Sequence, residues 1–155
     1  IIGEGELRNE IEEELCKRGL DDQVFLKGRL SQAETMKELA WADILFHTGV
    51  IGSTGDRDGL PNVIPEAMAA GVVVVASPIS GVVEAIEDDV SGILRDVNDP
   101  GAWVSECQRI QHEDAFSERL REEGRAWVDR ESVASRNSRK LLYAMEECLS
   151  SDKKA

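Results

Sequence analysis

Two acidic residues, Asp58 and Glu66, flank the start of a predicted helix, with seven residues between them. Pro61 near its start and Gly71 just past its end mark the bounds expected for a short helix. The amino end of a helix offers free backbone amides and a positive dipole end, which favour a phosphate group. A carboxylate accepts hydrogen bonds from two vicinal hydroxyls. These residue types can therefore bind a ligand that carries both a phosphate group and hydroxyl groups.

The sequence around this segment predicts a parallel α/β fold. Short apolar runs at Val24–Leu26, Ile44–Phe46 and Val72–Ala76 alternate with stretches of helical periodicity, as in sheets whose strands are joined by helices. The last run has no polar alternation, which is typical of a central strand covered on both faces. Ligand sites in such sheets lie at the carboxyl ends of the strands, so the acidic pair is expected at that edge.

The other elements continue the alternation. Ile1-Ile2 is predicted to end a strand that turns at Gly3 and Gly5 into a helix, and Ser31 with Glu34 forms a capping box that opens the next helix. Further predicted elements are a helix at Val83–Ile86, a strand at Ile93–Leu94, and helices at Asp99–Ile110, Phe116–Val128 and Val133–Leu149. We therefore expect one domain over residues 1–150 and a disordered tail over residues 151–155.

The composition indicates an ordinary globular protein. Hydrophobic residues make up 41% of the 155 residues, and no apolar run approaches the ~20 residues of a membrane span. Acidic residues outnumber basic ones 31 to 18, and the resulting net charge of −13 disfavours nucleic acid but permits a small phosphorylated ligand. Cys16, Cys107 and Cys148 include no C-x-x-C pair, which predicts reduced, mostly buried thiols in a cytoplasmic protein.

Beyond the acidic pair, a longer order of motifs resembles a known family. Asp58, Glu66, Ala67-Met68-Ala69, Gly71 and the valine run are together similar to the signature of retaining glycosyltransferases of family 4, also called group 1. Other similar landmarks are Ile2–Gly5, Val24–Gly28, Ala42–Ile44, Gly81–Glu84 and Ser91–Leu94. The resemblance is to their C-terminal, donor-binding domain. It implies half of a GT-B enzyme, with a Rossmann-like parallel sheet, helices on both faces and a helical C-terminal tail.

The resemblance implies roles for the residues around the acidic pair. Glu66 would accept hydrogen bonds from the ribose of a nucleotide-sugar donor. Asp58 would be the catalytic residue, facing the donor sugar near its reacting carbon. Gly59, Leu60 and Asn62 would supply the surroundings of the diphosphate. No cofactor and no metal are implied, because basic side chains and helix dipoles stabilise the departing diphosphate in this family.

Three further features border the expected site. Gly3 would lie in the nucleotide cleft, where a small residue lets the ligand approach. His47, at the end of a predicted strand, either contacts the substrate or is a hydrogen-bonded structural histidine. Asp56-Arg57-Asp58 spells the D-x-D motif that holds a metal in another glycosyltransferase class. Because it adjoins the family 4 signature, we interpret it as a coincidence.

The chain also departs from the family pattern. The first acid is Asp58 where the family normally has Glu, and the loop from Thr48 to Arg57 is longer than usual. The family's phosphate-binding Arg and Lys, and its acceptor-binding domain, would lie before residue 1. We therefore expect a fragment that is inactive alone, from an enzyme that uses a nucleotide sugar and a glycan or lipid-linked acceptor, with peripheral association at the inner membrane face. The alternatives are a stand-alone nucleotide-binding module and a sugar-nucleotide epimerase of the same fold.

Overall fold

The computed structural model describes residues 1–50, 59–79, 81–132, 137–138 and 142. The chain divides into two compact units, Ile1–Trp41 and Ala42–Ala155. The first unit contains helices α1 (Arg8–Arg18) and α2 (Gln32–Trp41). The described part of the second unit contains β1 (Ile44–His47), α3 (Val63–Ala70), β2 (Val73–Ala76), α4 (Val82–Ala85), β3 (Ile93–Leu94), α5 (Pro100–His112) and α6 (Asp114–Glu131). Asp58, most of the predicted helix Val133–Leu149 and the tail 151–155 lie outside the described residues.

In the first unit, the predicted capping box is confirmed. The Ser31 hydroxyl and amide both donate to the Glu34 carboxylate, at 2.6 and 2.8 Å, and the Glu34 amide donates back to the Ser31 hydroxyl. This reciprocal arrangement satisfies backbone donors at the start of α2 that would otherwise lack partners. A local sequence signature therefore fixes where this helix begins.

The strands predicted at Ile1-Ile2 and Val24–Leu26 do not form as regular elements in the first unit. The Ile1 nitrogen donates to the Phe25 carbonyl at 2.7 Å, and the Lys27 amide donates to the Ile1 carbonyl at 2.9 Å, which is the bonding of a parallel pair. The next bond, from Gly3 to the Gly28 carbonyl, is displaced by one residue from that pattern. Gly3 has a φ of 129°, so the backbone leaves the extended conformation and the pairing ends.

The second unit contains a parallel sheet in the order β1-β2-β3, and the predicted α/β fold is confirmed. Ile44 pairs with Val73, and Val75 pairs with Ile93. Every residue of the central strand β2 is buried, as its unbroken apolar sequence predicts. The carboxyl ends of β1 and β2 coincide, because His47 pairs with Ala76.

Helices α5 and α6 enclose the core beside this sheet. The core cluster consists of Val73, Val75, Ile93, Ile110, Phe116 and Leu120. Helix α6 also packs against α3, where a Cβ added at Gly124 would lie 3.3 Å from the Met68 Cγ atom. The missing side chain at Gly124 therefore allows close packing of the two helices, and α3 is held firmly against the core.

Candidate functional site

The predicted ligand-binding residues of the second unit lie at the amino end of α3. Asn62 is the residue before the helix, and its side chain makes no capping hydrogen bond. Among the described residues, the backbone amides of Leu60, Asn62 and Val63 have no hydrogen-bond partner, whereas the Ile64 amide donates to the Pro61 carbonyl. Unpartnered amides at a helix start, together with the helix dipole, are suited to bind an anionic group.

Glu66 lies in the first turn of α3 and is half-buried. Its amide donates to the Asn62 carbonyl at 3.2 Å, so its position follows directly from the helix start. Gly59 and Leu60 precede this turn, and the structure therefore brings Gly59, Leu60, Asn62 and Glu66 together on one short segment. Asp58, the predicted catalytic residue, is outside the described residues, and its role stays a prediction.

The carboxyl ends of the paired strands β1 and β2 border the candidate site, and α3 contacts both strands. His47 ends β1, and its carbonyl accepts a hydrogen bond of 3.0 Å from the amide of the buried Ser77, which follows β2. The His47 Nδ1 atom is buried and has no hydrogen-bond partner in the part of the chain that the structure describes. Gly49 lies close to the ring, since a Cβ on Gly49 would be 2.6 Å from the ring's Cε1, and the same Cβ would be 2.7 Å from the Ile79 Cδ1.

Gly3 belongs to the first unit, whereas the other described site residues belong to the second. No atom of the described residues lies within 4 Å of a Cβ built on Gly3, so crowding by this part of the chain does not require glycine there. The φ of 129° at Gly3 does favour glycine, because residues with a Cβ rarely adopt this angle. Gly3 and Gly5 line a cleft of about 480 Å³ with Ile1, Ile11 and Leu26, all from the first unit.

Two residues of the site were missed by the sequence interpretation. Ser77 carries no motif, and only the parallel register places it against the His47 backbone. Gly81 was identified only as a family landmark. In the structure it lies against the backbone of Gly59 and Leu60, directly before α3. A glycine immediately before a helix was the available signal, although it does not reveal what the glycine contacts.

Neither a metal cluster nor a membrane-spanning helix is present in the part of the chain that the structure describes. No group of three or more His, Cys, Asp or Glu side chains is placed to hold a metal ion there. No helix of that part is both long and apolar enough to cross a bilayer. Asp56 and Asp58 of the D-x-D motif lie outside it.

Comparison with known proteins identifies the family of the chain. Residues 1–127 match the family model described as glycosyl transferases group 1. The chain is 36% identical over 115 residues to the amylovoran biosynthesis glycosyltransferase AmsK of Erwinia amylovora, covering 74% of this chain and 28% of AmsK. It is 31% identical over 116 residues to the colanic acid biosynthesis glycosyltransferase WcaL of Salmonella typhimurium, covering 73% of this chain and 29% of WcaL.

The fold also matches a solved structure. The crystal structure of Anabaena HepE in complex with UDP-glucose superimposes with a TM-score of 0.81 at 18% identity, covering 94% of this chain and 40% of HepE. The chain thus spans less than a third of AmsK and WcaL and less than half of HepE. Since the family model covers 127 of its 155 residues, the chain belongs to the group 1 glycosyltransferases and has the Rossmann-like fold of their GT-B architecture.

Proposed function

We propose that this chain is the donor-binding part of a retaining glycosyltransferase. The enzyme would transfer a sugar from a nucleotide sugar to a glycan or lipid-linked acceptor in polysaccharide or glycoconjugate biosynthesis. The observation that carries the proposal is the start of α3, where unpartnered amides and Glu66 adjoin the carboxyl edge of a parallel sheet. AmsK is named for amylovoran biosynthesis, and HepE was solved with UDP-glucose, which supports this chemistry.

In this proposal each described group does one task in the reaction. The amides of Leu60, Asn62 and Val63 bind the diphosphate and stabilise the negative charge that grows as it leaves. The Glu66 carboxylate accepts hydrogen bonds from the ribose hydroxyls. Asp58 faces the donor sugar and offsets positive charge at its reacting carbon. The acceptor binds outside this chain, in the remainder of the full-length protein.

A location in the cytoplasm, with peripheral association at the inner face of the membrane, is part of the proposal. Cys16 and Cys107 are both free thiols, which is their usual state in a reducing compartment, although Cys16 is exposed and Cys107 only partly buried, contrary to the expected burial. Fractionation of cells that produce the full-length protein tests the membrane part. A protein released by high salt would agree with peripheral association, and one found only among secreted proteins would contradict the proposal.

The sharpest test of donor binding is Glu66→Ala in the full-length protein. Losing hydrogen bonds to a charged group costs about 1.5–3 kcal/mol, which raises the Kd for UDP or GDP roughly tenfold to a hundredfold. Isothermal titration calorimetry measures this change. Glu123→Ala is the matched control, because Glu123 is an exposed glutamate in the helix α6. An unchanged Kd in Glu66→Ala would mean that Glu66 only supports the helix.

The catalytic prediction for Asp58 is tested by Asp58→Asn. Charge stabilisation at the sugar carbon grows toward the transition state, so kcat should fall while the Kd for the nucleoside diphosphate changes only a few-fold. If Asp58 only caps the helix, Asn replaces it well, and both kcat and the melting temperature stay as in the wild type. Asp58→Glu should be milder than Asp58→Asn. A wild-type kcat in Asp58→Asn therefore removes Asp58 from the catalytic machinery.

The proposal includes no metal, and a chelator tests this point. Transfer by the full-length enzyme should continue in excess EDTA, because helix amides and basic side chains stabilise the diphosphate. Complete loss of transfer that returns on adding Mg²⁺ or Mn²⁺ would instead assign Asp56 and Asp58 to a metal site.

A further inference from the structure

Gly81, the residue before α4, lies against the loop that precedes α3. A Cβ built on Gly81 would be 2.5 Å from the Leu60 nitrogen, 2.7 Å from the Gly59 carbonyl carbon and 3.0 Å from the Gly59 oxygen. All three are backbone atoms, which cannot rotate away as the end of a side chain can. The φ of Gly81 is −64°, a value that every residue adopts. Glycine is therefore required at this position for space and not for its backbone conformation.

The two sides of this contact differ in how firmly they are held. On one side, Val82 is completely buried and its amide donates to the Ile79 carbonyl at 2.8 Å. On the other side, Gly59 is exposed, and the Leu60 amide has no hydrogen-bond partner among the described residues. A side chain added at residue 81 would therefore displace the loop before α3 and leave the start of α4 in place.

We propose that Gly81 is a positioning residue for the donor site. Its missing side chain lets the turn before α4 pack directly against Gly59 and Leu60, and this contact holds the loop where its amides meet the diphosphate. The inference rests on the proposed function, since it concerns the same amides. Gly81 itself touches no reacting atom. It acts through the backbone of the loop.

The size of the expected effect follows from the distances. Non-bonded carbon and nitrogen atoms approach to roughly 3.5 Å at their optimal separation, so Gly81→Ala must move the Leu60 nitrogen by about 1 Å. A misplacement of ~1 Å at a reacting group lowers the rate by up to ~100-fold. Because α3 itself is held against α6 and β2, the displacement should be confined to the loop. We expect kcat to fall about 10- to 100-fold, and the KM for the donor to change less than kcat.

The test is Gly81→Ala in the full-length protein, assayed with a panel of UDP and GDP sugars, with the melting temperature measured in parallel. Gly92→Ala is the matched control, because a Cβ there would lie 3.1 Å from both the Val74 carbonyl and the Ile86 Cγ2. That crowding is in the core, away from the loop before α3. Gly92→Ala should therefore lower the melting temperature and leave kcat close to the wild type. Gly81→Ala should lower kcat and leave the melting temperature close to the wild type.

Each outcome decides the inference. A kcat in Gly81→Ala within twofold of the wild type would overturn it. So would a melting temperature lowered as far as in Gly92→Ala, or a variant that fails to fold, because the contact would then support the fold and not the loop. If the wild type transfers no sugar from any donor, the proposed function fails and this inference fails with it. If the wild type transfers sugar and Gly81→Ala does so with the same kcat, the inference about Gly81 is refuted and the proposed function stands.

Discussion

Glu106 of α5 is a largely buried carboxylate whose main partner is a single arginine. Only 8% of Glu106 is exposed, and its Oε1 atom accepts hydrogen bonds from the Arg95 Nε at 2.9 Å and Nη2 at 2.5 Å. Arg95 directly follows β3 and also donates to the Asp88 carboxylate at 3.0 Å. The network therefore joins the end of the sheet to α5. We predict that Arg95→Met destabilises the chain by leaving Glu106 buried without this partner.

The magnitude follows from what remains around Glu106 in the variant. Removing one partner of a buried ion pair costs roughly 3–5 kcal/mol. Here Arg109 stays 3.6 Å from the other Glu106 oxygen, so we expect a loss at the lower end of that range. For a domain of this size, about 3 kcal/mol lowers the melting temperature by roughly 6–12 °C. Burial alone would lower the pKa of Arg95, but the hydrogen bonds and negative charges of Glu106 and Asp88 outweigh it, so the net effect raises this pKa. The guanidinium of the wild type therefore stays charged at all practical pH values.

Urea unfolding measures this loss, and two further variants interpret it. In Arg95→Met/Glu106→Leu both charges are gone, so most of the stability should return. Arg18→Ala removes an exposed pair with Glu14, both side chains being more than half exposed, and should cost less than about 0.5 kcal/mol. A loss below about 1 kcal/mol in Arg95→Met, or a double variant less stable than the single one, would contradict the assigned role of the buried pair.

Two more predictions concern titratable groups outside the site. Partial burial raises the pKa of the Cys107 thiol, so iodoacetamide should modify it more slowly than the exposed Cys16 in the folded chain at neutral pH. Peptide mass mapping measures the two rates, and equal rates would contradict the partly buried position of Cys107. The Ser31 hydroxyl, and then its amide, lower the pKa of Glu34, so the stability that Glu34 contributes is complete above its ordinary pKa and lost as the pH falls through the lowered value. Glu34→Ala should therefore lower the melting temperature at neutral pH and have little effect in strong acid. An equal loss at both pH values would show that the negative charge of Glu34 is not the source of the stabilisation.

Sequence patterns that span only a few neighbouring residues correctly predicted several helices and strands and where they begin or end. The valine run became the buried strand β2, Ser31 and Glu34 formed their capping box, and α3 ended at Gly71. Gly71 has a φ of 78°, the left-handed conformation expected of a helix-ending glycine. Each of these outcomes depends on backbone chemistry within a few residues, which the sequence displays directly.

Features that depend on distant residues were not predictable in the same way. The pairing of Ile1 with Leu26 breaks at Gly3, because the backbone there leaves the extended region. The His47 Nδ1 atom is buried without a hydrogen-bond partner among the described residues, and its ring lies near Gly49 and Ile79. No local sequence pattern predicts such a contact, because each of the residues involved is ordinary within its own segment of the chain. The same reason hides the approach of Gly81 to the loop before α3.

The position of Glu66 is therefore set by residues that do none of the chemistry. Gly71 ends α3 in a left-handed turn, so that the chain can enter the buried strand β2 directly. Gly124 lets α6 press on the Met68 side of α3. Gly81 lets the turn before α4 press on the loop at the other end of the helix. Because a separate contact fixes the end, the side and the start of α3, we expect the proposed donor site around Glu66 to form only when this sheet and helix arrangement has folded.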